Sequence, residues 1–267
     1  MNLEHIVRKP TGPAKPTPVL FLHGAWHGAW CYELWLDDFA AHGYEAHAMS
    51  LPGHGKSPRT KPINLYGVDD YTRALEHIVD QIAPKPFVVA HSMGGAVLQE
   101  LLKYRRDLPG AVLLASVPIF GALPFFLRYA RSYPLTYAWA MMTLDFRRML
   151  GTPELVERFL VSQDAAYTAE HLCAHLCKES LRIGLELALT WRGDPRRVHT
   201  PLLVVAAEKD AIFLIHEAQQ TADAYGAELL LIPDQGHNLM IERDWRHTAA
   251  RLRAWIERIE RRREDQA

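Results

Sequence analysis

Ser92 is the residue of this chain best placed to act as a nucleophile. It stands in Ala90-His91-Ser92-Met93-Gly94-Gly95, directly after the apolar run Phe87 to Ala90. A serine on a sharp strand-to-helix turn presents its hydroxyl at the carboxyl end of a sheet. Small residues are needed two positions to either side, because strand and helix approach closely there. Gly94 meets that need, and Ala90 adds one methyl group on the other side. The turn also puts the Met93 amide at a helix N-terminus, where an unpaired N–H can bind an oxyanion. A serine that only caps an ordinary helix gives the same local pattern. The hydroxyl needs a base, and among 14 histidines His237 has the suitable position, in Ile232-Pro233-Asp234-Gln235-Gly236-His237. On a loop beyond a strand end it can reach Ser92 without distorting the sheet. The base needs a carboxylate to fix its tautomer. Asp210, in Ala206-Ala207-Glu208-Lys209-Asp210, fills that role. Glu208 is its local rival, and a surface ion pair with Lys209 is the alternative use of either acid. A second oxyanion donor is the Ala25 amide in Leu22-His23-Gly24-Ala25-Trp26. The plainer reading is a glycine turn beside two core tryptophans, Trp26 and Trp30.

Two other clusters invite chemistry and fail on spacing. His171, Cys173, His175 and Cys177 suggest a metal site. On a helix, however, a step of two residues turns about 200°, so the cysteines face away from the histidines. Gly53-His54-Gly55-Lys56-Ser57 has the ending of a phosphate loop but lacks its four-residue spacer and a following helix. Three cysteines (Cys31, Cys173, Cys177) do not make a disulfide framework and fit a reducing compartment.

The elements that must position these residues are visible as alternating apolar strands and amphipathic helices. Strands are expected at Leu3–Arg8, Val19–Leu22, Tyr44–Met49, Phe87–Ala90, Ala111–Ala115, Leu202–Ala206 and Glu228–Ile232. Helices are expected at Trp30–Ala41, stopped by Gly43, at Tyr71–Ile82, and from Ser92 to about Asp107. Such alternation implies an α/β protein with a mostly parallel, doubly wound sheet covered on both faces. From Ile119 to Leu189 no strand is legible, and the segment is rich in aromatics and methionine. A helical cap at 119–190, inserted after the sixth strand of the pattern, is therefore expected over a core of 1–118 and 191–267. The first part of the cap is basic, with Arg128, Arg131, Arg147 and Arg148 against Asp145, which suggests a preference for anionic substrates. A net charge of -1, from 30 basic and 31 acidic residues, argues against capture of nucleic acid. The arginine-rich C-terminal run is interleaved with Glu257, Glu260 and Glu264 and reads as a solvated helix end. There is no signal-like N-terminus and no apolar run long enough to span a membrane, so a cytoplasmic protein acting on a small molecule is expected.

HGAW (23–26), LPGHGKS (51–57), AHSMGG (90–95), EKD (208–210) and DQGH (234–237) together resemble the α/β-hydrolase superfamily over nearly the whole chain, in the order nucleophile, acid, base. That resemblance implies a triad of Ser92, Asp210 and His237, oxyanion amides on Ala25 and Met93, and no metal or organic cofactor. The repeated HGAWHGAW (23–30) also resembles the plant methylesterase and hydroxynitrile lyase branch. The lyases carry Thr after the first His and Lys after the triad His, whereas this chain has Gly24 and Asn238. Ester hydrolysis is therefore expected over cyanohydrin cleavage. Carbon–carbon bond hydrolysis on the same triad and a non-catalytic ligand receptor are the competing functions, since one scaffold hosts many. Epoxide hydrolysis and dehalogenation would need Asp at the place of Ser92.

Overall fold

Each apolar run pairs its backbone into one sheet, because buried N–H and C=O groups must find partners. The computed structural model describes residues 1–265. Its seven strands are β1 (His5–Arg8), β2 (Val19–Leu22), β3 (Ala46–Met49), β4 (Phe87–His91), β5 (Ala111–Leu114), β6 (Leu202–Ala207) and β7 (Glu228–Ile232). Their order in the sheet is β1-β3-β2-β4-β5-β6-β7. All neighbours are parallel except β1, which runs antiparallel to β3 at one edge. Every residue of β2 to β6 is buried, as expected of strands covered on both faces.

The helices of the core are α1 (Glu33–Ala41), α2 (Val68–Gln81) and α3 (Met93–Leu102). From β2 the chain crosses to β3 on one side, and from β3 it returns past β2 to β4 and onward to β5. Right-handed crossovers then place α1 on one face and α2 and α3 on the other. The direction of winding switches between β2 and β4, which are adjacent and parallel. A crevice opens outside the carboxyl ends of strands at such a point. The loops that leave β2 and β4 there carry Gly24-Ala25 and Ser92.

Between β5 and β6 lie α4 (Leu123–Ser132), α5 (Pro134–Met142), α6 (Pro153–Phe159), α7 (Ala169–His175) and α8 (Leu181–Leu185), with no strand among them. This helical segment follows the fifth strand of the chain, not the sixth. The longer family pattern supplies one more strand near the N-terminus than these residues form. The chain then ends its core with α9 (Ile215–Tyr225) and α10 (Trp245–Glu264). Boundaries differ from expectation at several ends: β1 and β3 start two residues later than expected, and α3 closes at Leu102, not near Asp107. The segment expected to start a helix at Trp30 first makes a 3-10 turn at Ala29–Tyr32. The helix expected from Tyr71 begins at Val68, where Asp69 and Asp70 occupy the first turn. No helix among the described residues is long and apolar enough to cross a membrane.

Candidate active site

Ser92 sits at the join of β4 and α3 with φ 54° and ψ −119°. A left-handed φ is uncommon for a residue with a side chain and is held only where the surroundings impose it. Here they do. The Ser92 amide donates to Leu114 O at 3.0 Å, and Ser92 O accepts from Val117 N at 3.1 Å and Gly95 N at 2.9 Å. A methyl group on Gly94 would lie 2.4 Å from His23 O, and one on Gly95 would lie 2.1 Å from Ser116 Oγ. The close approach that makes small residues necessary beyond the serine is therefore real on both glycines.

His237 and Asp210 meet across 27 residues of chain. The His237 ring donates from Nδ1 to Asp210 Oδ2 at 2.8 Å, and both side chains are almost wholly buried. Asp210 Oδ1 accepts from the Ile212 and Phe213 amides at 2.7 and 3.0 Å, which fixes the carboxylate plane. With Nδ1 committed to Asp210, Nε2 of His237 is the nitrogen left to act as a base. Glu208 turns away and accepts from the Asp234 amide, while Lys209 pairs with Asp234. Neither acid is used by Lys209.

His91, the neighbour of Ser92, ties the two loops together. Its Nε2 donates to His237 O at 3.0 Å, and the two rings lie 4.6 Å apart. Burial first, then the nearby His237 and His27 rings, push its pKa well below the usual range, so it stays neutral. Ser92 Oγ and His237 Nε2 do not form a hydrogen bond in this structure. Such bonds are often long until substrate binds. Ser92 is 7 % exposed and His237 2 %, so both side chains sit largely out of water.

The Ala25 and Met93 amides have no acceptor among the described residues. Met93 opens α3, and Ala25 follows Gly24. A Cβ on Gly24 would lie 2.7 Å from Ser92 Cβ and 2.7 Å from His91 Nδ1. The position where the lyases carry Thr thus has no room for a side chain. At the other lyase position, Asn238 is buried and donates from Nδ2 to His27 Nε2 at 3.1 Å. His27 in turn donates from Nδ1 to Ala25 O at 2.7 Å. Its pKa is lowered to about 4, chiefly by burial. His27 was not singled out from sequence, although the repeat in HGAWHGAW carries it.

The remaining expectations fare unevenly. Arg128 pairs with Glu217 and also donates to Ile212 O, and Arg147 donates to two backbone carbonyls. Arg148 lies 4.0 Å from Asp145 and over the Trp139 ring, so three of the four arginines of the basic cluster are already partnered. α7 ends at His175, its two histidine rings stack 4.1 Å apart, and Cys177 lies beyond it against Trp26 O. No group of metal ligands forms among the described residues. A surface depression of about 540 Å³, lined in part by Phe159, Leu160 and Gly236, reaches the neighbour of His237 but not Ser92.

A model of an alpha/beta hydrolase family matches residues 19–251. The pFDCC methylesterase MES16 of Arabidopsis thaliana is 33% identical over 118 residues, 42% of this chain and 45% of that protein. Methylesterase 18 of the same plant is 35% identical over 78 residues, 28% of this chain and 29% of that protein. The match thus spans less than half the length of either relative. The solved monoacylglycerol lipase of Paleococcus ferrophilus has a TM-score of 0.68 at 16% identity, covering 97% of this chain and 100% of that chain.

Proposed function

This chain belongs to the alpha/beta hydrolase family, and on that premise we propose that it hydrolyses carboxylic esters of small to medium apolar substrates through an acyl-enzyme. The observation that carries the reading is the buried 2.8 Å hydrogen bond from His237 Nδ1 to Asp210 Oδ2, at the sheet rim where Ser92 is held at φ 54°. His237 Nε2 takes the Ser92 proton as Oγ attacks the ester carbonyl. The Ala25 and Met93 amides bind the oxyanion, each worth on the order of 10²–10³ in rate. His237 then protonates the leaving alcohol, and a water activated by the same ring releases the acid.

The segment 119–190 acts in this reading as a cap over the core. Its side chains supply apolar surface beside the site. Phe125 meets Phe213 at 6.1 Å, and Phe213 meets the His237 ring at 5.7 Å. Several cap aromatics also pack on one another in tilted or edge-on pairs, as Phe126 does on Phe146 and Tyr129 on Phe159, so only part of that surface is left for substrate. The methylesterase names of the relatives support an ester with a small alcohol.

The test is Ser92→Ala. Turnover of short p-nitrophenyl esters should fall to background and fluorophosphonate labelling should vanish, with the circular dichroism spectrum unchanged. Full activity in that variant rules the mechanism out. Labelling of Ser92 in the unaltered protein without turnover of any ester would move the assignment to carbon–carbon bond hydrolysis.

A further inference from the structure

Glu179 is a buried carboxylate that the proposed mechanism does not use. It lies between α7 and α8, far in sequence from every core loop, and is 2 % exposed. Four donors converge on it. Oε1 accepts from Tyr71 OH at 3.1 Å and from its neighbour Ser180 N at 2.6 Å. Oε2 accepts from His54 Nε2 at 2.9 Å and, at 3.4 Å, from Trp26 N. The other His54 nitrogen faces Pro52 O at 3.3 Å. Both ring nitrogens of His54 face oxygen acceptors, an arrangement that suits the doubly protonated ring, and although burial lowers its pKa, the Glu179 carboxylate raises it above the usual value.

Trp26 is the residue after Ala25 and has φ 65°, a strained value for a side chain of its size. Its peptide groups are gripped from both sides by one short stretch. Trp26 O accepts from Cys177 N at 2.9 Å and from Cys177 Sγ at 3.2 Å, while Trp26 N donates to Glu179. The Ala25 N–H lies in the preceding peptide plane, which meets the Ala25–Trp26 plane at the Ala25 Cα. Holding the Trp26 N–H therefore fixes ψ of Ala25, and with Gly24 packed against Ser92 on the other side it limits how the Ala25 amide can turn.

We propose that Glu179, paired with His54, is a positioning residue that holds the Trp26 turn and thereby aims the Ala25 amide at the oxyanion. The inference rests on the esterase reading. Each carboxylate oxygen serves one backbone N–H and one side-chain donor. Tyr71 can rotate its hydroxyl and His54 can lose its proton, but Ser180 N–H and Trp26 N–H cannot become acceptors. An amide at position 179 therefore leaves one backbone N–H facing an NH2 group, whichever way it is turned.

Glu179→Gln is expected to lower kcat for p-nitrophenyl acetate by about tenfold to a hundredfold, short of the loss of a whole oxyanion donor, with KM within threefold. Deuterium uptake across residues 22–30 should quicken. Tyr71→Phe removes a side-chain donor only and should keep kcat within threefold. Unchanged kcat in Glu179→Gln, or an equal loss in Tyr71→Phe, overturns the positioning role. If the unaltered protein turns over no ester, the functional reading fails by itself, and unchanged deuterium uptake in Glu179→Gln then overturns the holding role separately. Should that variant not fold, the unaltered protein decides by NMR. The Trp26 amide should exchange at least about tenfold more slowly than that of Ala25, and equal rates sink the proposal.

Discussion

Asp210 divides its two oxygens between different tasks. Oδ1 takes two backbone amides and Oδ2 takes the His237 ring. Asp210→Asn keeps the first set if its oxygen stays at Oδ1, and so keeps the loop. The new NH2 then faces His237 Nδ1, which must give up its hydrogen and become an acceptor. Nε2 carries the proton instead and cannot take one from Ser92. The expected result is a fall of about 10⁴ in kcat with the fold and KM kept, as when the wrong tautomer is imposed in a serine protease triad. Steady-state kinetics with p-nitrophenyl acetate checks this, and a loss under tenfold would remove Asp210 from the proposed mechanism. The positions of Ser92, Asp210 and His237 were legible because each follows an apolar strand and carries a residue type with one evident use. His27, His91 and Glu179 were not legible. Their roles depend on partners such as Asn238, His237 O and His54, and no local pattern announces a partner over a hundred residues away.

The joins between elements bear the geometric load. Gly94, in the first turn of α3, packs against the exit of β2, and an added methyl would press on His23 O, a backbone atom that cannot step aside. Gly94→Ala should therefore cost about 1–3 kcal/mol in urea denaturation, as overpacking does. It should also lower kcat, because His23 begins the loop that carries Ala25. Wild-type stability in that variant would mean the elbow is looser than its contacts imply. At this scale strands were the easier elements to read, since β2, β5 and β6, and β4 up to Ala90, are buried on both faces and so unbroken in hydrophobicity. Helix starts were harder. α2 begins at Val68 because Asp70 accepts from the Gly67 amide at 2.9 Å, a cap set by one side chain ahead of the apolar stripe. The helical segment follows the fifth strand formed here because the N-terminal region is one strand short of the full family pattern, a shortfall the sequence itself shows.

Over the whole molecule, these loops are held by buried histidines whose charge states differ, and stability must then depend on pH in a defined way. His27 and His47 are lowered to about 4, chiefly by burial. His23 and His91 are pushed the same way, again first by burial. In the unfolded chain all four return to about 6.5. Between those values the unfolded chain binds more protons than the fold, so stability falls as pH drops from about 6.5 towards 4. Each such histidine adds at most about 1.4 kcal/mol per pH unit. His54 has the opposite sense. Burial pulls its pKa down, but the Glu179 carboxylate more than offsets this and leaves it raised. Its contribution is complete below about 6.5 and is lost as pH rises through the raised value. Stability should thus decline on both sides of a maximum near neutrality, steeply on the acid side and gently on the other. Urea midpoints measured from pH 4.5 to 8.5 test this. A Glu179→Gln protein, with the charge beside His54 removed, should lose the gentle alkaline decline and keep the acid one. A flat midpoint between pH 6.5 and 4.5 would mean that the buried rings take up protons without opening the fold, and that the loops they join are looser than their hydrogen bonds indicate.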